Sequence, residues 1–259
     1  MEEERIIGCD EGVLVTGANG FIGSRVVKRL LDYGFRNVRG FVRSGRDSLL
    51  KSSAGRAVEV MEGNLLSRED CRRALDGRSV VFHLAAGRGD KTYADAVRNS
   101  VVTTRNLLEE IRGSGNFKRF VNVSSFSVYS PSGIKRGVLL DENCGMETNP
   151  AARGEAYCYG KVRQDELVME YGSRFAIPYV IVRPGAVYGP GNRGLTSRVG
   201  IDTFGLFLHL GGSSRIPFTY VENCAEAIVL AGLKKGVDGE IFNIVDYSPP
   251  TSRSLLRRY

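Results

Sequence analysis

Short runs of aliphatic and β-branched residues recur along this chain at Val13–Thr16, Val38–Val42, Val58–Met61, Val80–Leu84, Phe120–Val123 and Tyr179–Val182, separated by longer stretches of mixed apolar and polar residues. The runs are nearly continuous rather than alternating, the pattern of strands buried on both faces. The stretches between them predict helices over Phe21–Tyr33, Ser67–Leu75, Tyr93–Ile111 and Tyr157–Tyr171. Ser67 stands where a helix N-cap belongs, and Asp70 adds an acid to the first turn. Strand and helix in regular alternation predict the α/β class: a doubly wound parallel sheet with helices on both faces.

After Arg183 the texture changes. Gly, Pro, Ser and Arg dominate from Pro184 to Pro217 and strand signals thin out, before an apolar helical stretch at Val221–Leu233 and a last β-like run at Ile241–Val245. The expected organisation is a core over residues 12–183, rejoined by 218–247, and a small C-terminal substrate-binding lobe from 184–217 and 248–259.

Composition narrows the picture by exclusion. With 259 residues, 42% hydrophobic and 25% charged, the chain has the means for a buried core. No apolar run is long enough for a bilayer, and the opening Met1-Glu2-Glu3-Glu4-Arg5 is acidic where a secretory signal is basic, so a cytoplasmic protein with no membrane partner is expected. The five cysteines, Cys9, Cys71, Cys144, Cys158 and Cys224, lack metal-ligand spacing and are expected reduced, with no metal site. A net charge of +7 raises nucleic acid as a partner. The cationic pairs Arg72-Arg73, Lys234-Lys235 and Arg257-Arg258 are scattered and lack interleaved aromatics, so none is expected. The charge equally suits a phosphorylated cofactor or a nucleotide-linked substrate.

Two stretches carry candidate chemistry. Gly17, Gly20 and Gly23 fall where the strand Val13–Thr16 turns into the helix after Phe21; such a turn aims backbone N–H groups and a positive helix end at a pyrophosphate. Tyr157 and Lys161 are four apart at the start of a helical stretch, hence on one face. An ammonium beside a phenol stabilises phenolate and fits the tyrosine for proton exchange near neutrality. Either motif alone could be structural, a turn or a chance spacing. Their order along the chain links them.

The whole pattern resembles the extended short-chain dehydrogenase/reductases, which include the NAD(P)-dependent sugar epimerases and dehydratases. Thr16-Gly17-Ala18-Asn19-Gly20-Phe21-Ile22-Gly23 is similar to their cofactor motif. Gly63-Asn64-Leu65 stands where the family contacts adenine, His83-Leu84-Ala85-Ala86 resembles its fourth-strand motif, and Asn99 with Asn106-Leu107-Leu108 its long-helix motif. Val123 to Tyr129, then Tyr157 and Lys161, then Arg183 to Gly191, including Pro184 and Val187, follow in family order. The resemblance implies a Rossmann-type core binding NAD(P), with Tyr157 as general acid/base, Lys161 holding the nicotinamide ribose and tuning the tyrosine, and Ser125 hydrogen-bonding the substrate oxygen. Ser124 and Ser127 are alternatives for the hydroxyl. At the end of the second strand an acid would bind the ribose 2′-hydroxyl, whereas Arg43, with Arg46 beyond it, favours the 2′-phosphate of NADP(H).

Departures from the family refine the expectation. Dehydratases carry an Asp-Glu pair after the hydroxyl residue, where this chain has Phe126 and Ser127, and the Glu of some sugar-acid decarboxylases is also absent. Hydride transfer at an alcohol or ketone carbon remains, by an epimerase or a net reductase. Asn64 replaces the usual Asp, Glu222-Asn223 follows Val221, and the chain ends soon after its final β-like run. A nucleotide sugar is the substrate class the resemblance implies, and it admits a homodimer. Arg193, Arg198 and Arg215 favour a charged substrate. Phe204, Leu206, Phe207 and Leu208, which otherwise read as a packed helix, keep an NADPH-dependent reductase of an apolar ketone open, and a non-catalytic NADP(H)-sensing binding protein is a separate alternative. His83 and His209 are expected to pack or hydrogen-bond, without a metal or catalytic role.

Overall fold

The computed structural model describes residues 4–43, 58–87, 92–130, 140–192, 199–204, 206–209, 212 and 215–257. Seven parallel strands form its sheet: β1 (Val13–Thr16), β2 (Val38–Val42), β3 (Val58–Glu62), β4 (Val80–His83), β5 (Arg119–Val123), β6 (Tyr179–Pro184) and β11 (Ile241–Ile244). Their spatial order is β11-β6-β5-β4-β1-β2-β3. The chain winds outward from β1 in one direction and from β4 in the other. The strand order therefore reverses between β1 and β4, opening a crevice at their carboxyl ends, where ligands of doubly wound sheets bind.

Alternate strand residues feed two separate cores. Val13 and Val15 of β1, Phe82 of β4 and Val121 of β5 pack under helices α1 (Gly23–Asp32) and α5 (Val221–Leu233), through Val26, Leu30, Ile228 and Val229. Leu14, Val81, Phe120 and Ile181 face the other way, against α2 (Arg68–Leu75), the long helix α3 over 93–111, and α4 (Ala156–Phe175). Burial on both faces explains why the strands lack polar alternation. Where α5 meets the sheet, Gly232 admits the Phe82 ring: a Cβ there would lie 2.3 Å from it. Two strand arginines are buried for a different reason. Arg39 donates to the carbonyls of Arg73, Ala74 and Asp76 at the end of α2, and Arg119 to those of Ala231, Gly232 and Lys234 at the end of α5. Each satisfies a helix C-terminus whose last carbonyls have no partner inside the helix.

The expected elements of the core are present with small changes of boundary. Ser67 caps α2 through the Asp70 N–H. Helix α3 is not uniform: Tyr93–Ala96 and Thr103–Ile111 are α-helical, but Val97–Val102 widens to π-helical turns, a local device common at functional sites. The region after Pro184 departs further from expectation, since it contains four short strands: β7 (Ala186–Tyr188), β8 (Gly200–Thr203), β9 (Leu206–His209) and β10 (Phe218–Tyr220). The apolar cluster from Phe204 to Leu208, expected as a packed helix, is instead part of the antiparallel β8–β9 hairpin. A helix this short nucleates poorly, and Phe204, fully exposed at φ 52°, takes the left-handed turn between the strands. β7 pairs with β10, and Val199, Ile216 and Phe218 form a small core of their own with Ala186 and Leu255 of α6 (Ser252–Leu256). Among the described residues no helix is long and apolar enough to cross a membrane.

Candidate active site

The turn after β1 is built around one oxygen. Gly17 has φ 65° and sits so close to the end of β4 that a Cβ would lie 2.9 Å from the Ala85 nitrogen. Its carbonyl accepts the Gly20 N–H at 2.9 Å, and a Cβ at Gly23 would come within 2.2 Å of the same carbonyl oxygen. The glycines thus let the chain fold onto itself and begin α1 in the crevice. That helix has no side-chain cap and no acid in its first turn; its Ser24 and Arg25 N–H groups bond back to the Gly20 and Ile22 carbonyls, and no carboxylate offsets the positive end that it offers an anion. Phe21 and Ile22 flank this end, and Asn19 lies partly exposed on the turn. Arg25 donates to the carbonyls of Phe21 and Pro190 and stacks over the Phe21 ring, drawing the segment after β6, with Val187, towards the same end of α1.

The other expected cofactor residues sit at neighbouring strand ends. Arg43 follows β2 directly and is exposed. Asn64 closes a turn after β3, where its Oδ1 accepts the Leu66 N–H, leaving its amide N as a donor, and Leu65 is buried beneath it. Leu84, Ala85 and Ala86 follow β4; the Ala85 N–H donates to Thr16 Oγ1, and the Gly87 N–H to Ser100 Oγ in the π-helical stretch that also holds Asn99. Pro184 ends β6. Arg46, Arg193 and Arg198, and the side chains of Leu206 and Phe207, lie outside the described residues. Arg215 is exposed, as are Phe204 and Leu208.

The structure gathers the three catalytic candidates at the end of β5. Lys161 is only 4% exposed, and its Nζ donates to the Val123 carbonyl at 2.7 Å and to Gln164 Oε1 at 2.8 Å. Burial lowers its pKa to about 8, against an opposing pull from Asp165. Tyr157 lies one turn earlier on α4 and is 37% exposed. Ser125, two residues beyond Val123, is partly exposed, with its Oγ accepting the Ser127 N–H. Ser124 is 5% exposed and the Ser124 and Ser127 hydroxyls are both buried. Phe126 is buried.

Several residues that support the site were not singled out from the sequence. Asp165, fully buried, accepts from Asn122 Nδ2 at 2.8 Å and from Arg183 Nε at 3.1 Å, tying α4 to β5 and β6. Burial pushes its carboxyl up, against the charge of Arg183. Gln164 Nε2 donates to Thr104 Oγ1, which also meets His83 Nε2, while His83 Nδ1 meets Thr16 Oγ1. The signal was there: Gln164 and Asp165 stand three and four residues beyond Lys161, on its own helix face. His83 is a hydrogen-bonding residue, as expected, and burial holds it neutral with a pKa of about 3. His209 bonds the Ser252 hydroxyl. All five cysteines are free thiols, and no metal-binding group of His, Cys, Asp or Glu occurs among the described residues.

These residues fit a dinucleotide: a turn closed so tightly on its own backbone that it excludes a Cβ at Gly17 or Gly23, an uncapped helix end for the pyrophosphate, and a buried ammonium bonded to the end of β5. Comparison with known proteins agrees with that geometry. A cinnamoyl-CoA reductase of Petunia hybrida is 31% identical over 69% of this chain, and the chain spans 55% of that reductase's length. An uncharacterized UDP-glucose epimerase of Bacillus subtilis is 30% identical over 90% of this chain and 76% of its own. Among solved structures, the UDP-glucuronic acid 4-epimerase of Bacillus cereus, in complex with UDP-glucuronic acid and NAD, superposes with a TM-score of 0.77 at 25% identity, covering 95% of this chain and 82% of the epimerase. The model of the NAD dependent epimerase/dehydratase family matches residues 13–245, from the first strand of the sheet to just beyond the last, and the chain belongs to that family.

Proposed function

We propose that this protein is an NAD(P)-dependent oxidoreductase or epimerase that moves a hydride to and from an alcohol or ketone carbon of a nucleotide sugar. The observation that carries the reading is the buried Lys161 ammonium, fixed to the end of β5 beside Ser125 and one helical turn from Tyr157, at the crevice that also holds the glycine turn. A bound nicotinamide would supply the hydride acceptor and donor. The chain supplies the rest. Tyr157, the exposed member, gives or takes the hydroxyl proton at its phenol oxygen; Ser125 hydrogen-bonds the substrate oxygen; Lys161 favours the phenolate by its charge and holds the ribose. Gly17, Gly20 and Gly23 with the end of α1 bind the pyrophosphate, while Arg43 accepts a 2′-phosphate and so leans the preference to NADP(H). With Phe126 and Ser127 where the dehydratase acids stand, elimination of water is not part of the reaction.

The UDP-glucuronic acid held by the Bacillus cereus epimerase supports the substrate class. Residues 184–217 with 248–259 are assigned as the substrate lobe, on the strength of the separate small core around Val199, Ile216 and Phe218. A second reading, reduction of an apolar ketone or thioester, draws on the likeness to the petunia cinnamoyl-CoA reductase and on the exposed Phe204 and Leu208. Calorimetric titration with NADPH, NADH, NADP and NAD, alone and with UDP- or dTDP-linked sugars present, separates them. Binding of a dinucleotide that tightens with a sugar nucleotide is expected. Tightening with an aryl or acyl-CoA carbonyl instead selects the second reading, and no dinucleotide binding refutes both. Tyr157→Phe should abolish turnover while retaining dinucleotide binding.

A further inference from the structure

Lys161 has three N–H donors and spends two on protein atoms: the Val123 carbonyl and Gln164 Oε1. The Gln164 amide presents its oxygen to Lys161 because its nitrogen is committed to Thr104 Oγ1, at 2.7 Å. Thr104 in turn gives its single hydroxyl hydrogen to the Ser100 carbonyl at 2.6 Å, so it can only accept from Gln164 and from His83 Nε2. His83 is therefore the neutral Nε2–H tautomer, and its Nδ1 accepts from Thr16 Oγ1, which itself accepts the Ala85 N–H. Every donor and acceptor in this buried chain has one consistent direction. It runs from the backbone beside Gly17, through β4 and the π-helical part of α3, to the ammonium on α4. Such a chain leaves the glutamine no alternative rotamer that keeps its bonds.

We propose that Gln164 is a positioning residue for the reaction: it holds the Lys161 ammonium charged and aimed into the crevice, and the Thr104–His83–Thr16 chain holds Gln164. This rests on the reading of Lys161 as the ribose-binding, tyrosine-tuning group. A neutral acceptor is suited to the task, because it stabilises the charged form of a buried lysine without neutralising the charge that the tyrosine requires. The charged or titratable groups around Lys161 are Asp165 and Tyr157 on its own helix, His83 from β4, and Arg183 from β6, which is occupied by Asp165. His83 stays neutral and Asp165 is common to every variant below, so replacements at 164 report on one contact.

The test is the titration of Lys161 itself in the full-length chain without cofactor, followed by NMR of 13Cε-labelled lysine and assigned by loss of the signal in Lys161→Met. The wild-type midpoint is expected near 8. Gln164→Leu, which cannot accept, should move it down by about one pH unit, and Gln164→Glu, which adds a charge, should move it up by at least as much. NADP(H) affinity at pH 7 should fall about tenfold in the leucine variant and recover in the glutamate variant, as expected for loss and return of a hydrogen bond to a charged group. Midpoints that stay together in all three proteins overturn the proposal. If the leucine variant does not fold, Thr104→Val and Thr104→Ser replace it: valine should lower the midpoint, serine should restore it, and equal midpoints again overturn the idea. Midpoints that separate in a chain that binds no dinucleotide would leave Gln164 as the partner of Lys161 and remove the proposed function instead.

Discussion

Gly20 and Gly23 threaten the same atom from different depths, which makes the turn measurable. A Cβ at Gly20 would lie 3.0 Å from the Gly17 oxygen, and a Cβ at Gly23 would lie 2.2 Å from it, against an ordinary contact of 3.4 Å or more. Gly20→Ala therefore asks for a shift of 0.4 Å, the difference between 3.4 and 3.0, within the give of a turn. Gly23→Ala asks for 1.2 Å, the difference between 3.4 and 2.2, and the obstructing group is backbone, already bonded to the Gly20 N–H. Overpacking of that size costs about 2 to 3 kcal/mol, only partly offset by about 1 kcal/mol from the better helix propensity of alanine. For a chain of this size the net loss of about 1 to 2 kcal/mol should lower Tm by roughly 2 to 8 °C, while Gly20→Ala should stay within about 1 °C of wild type. Thermal unfolding and dinucleotide titration of both variants test this. Because the displaced carbonyl belongs to the cradle, Gly23→Ala should also lose dinucleotide binding. Equal Tm and equal affinity in the two variants would refute the argument that the turn is set by this one contact.

Other expectations follow from the buried polar groups. Arg183→Met should destabilise the chain by about 3 to 5 kcal/mol, since Asp165 would be left buried without its guanidinium, and Asp165→Leu combined with Arg183→Met should regain most of that in a denaturant double-mutant cycle. His83, with a folded pKa of about 3 against an ordinary 6.5, is neutral in the fold, so its contribution is complete above pH 6.5 and is lost as pH falls towards 3. Urea unfolding at pH 7, 5 and 4 should therefore show a steep acid loss that His83→Gln flattens; parallel curves would contradict the assignment. Lys161 titrates near pH 8, so dinucleotide affinity should weaken as pH rises through 8 and 9, and Lys161→Met should abolish that dependence along with most of the affinity. Arg43→Glu should weaken NADPH by about tenfold or more and leave NADH little changed; equal losses for both would remove the 2′-phosphate from its role.

What the sequence settled by itself is the doubly wound parallel sheet and most of its strands and helices; the spatial order of the strands came only with the tertiary structure. Strands such as Val80–His83, apolar on both faces, and helices such as Val221–Leu233 announce themselves through local composition. The glycines of 17, 20 and 23 are legible because the backbone conformation they permit is a local property. The lobe after Pro184 was not legible in the same way. Its strands are only three or four residues long, and the hairpin at 200–209 is stabilised by pairing rather than propensity. The sequence placed Ser125 in the hydroxyl role by resemblance and left Ser124 and Ser127 as alternatives; the burial of those two hydroxyls is set by how the chain packs after β5 and is not a local property. The roles of Gln164, Thr104 and His83 are likewise decided only in three dimensions. Each is a polar residue without a distinguishing signal of this bonding in its own segment, and only the packing of α4, α3 and β4 around these buried groups gives their donors and acceptors one arrangement in which all are satisfied.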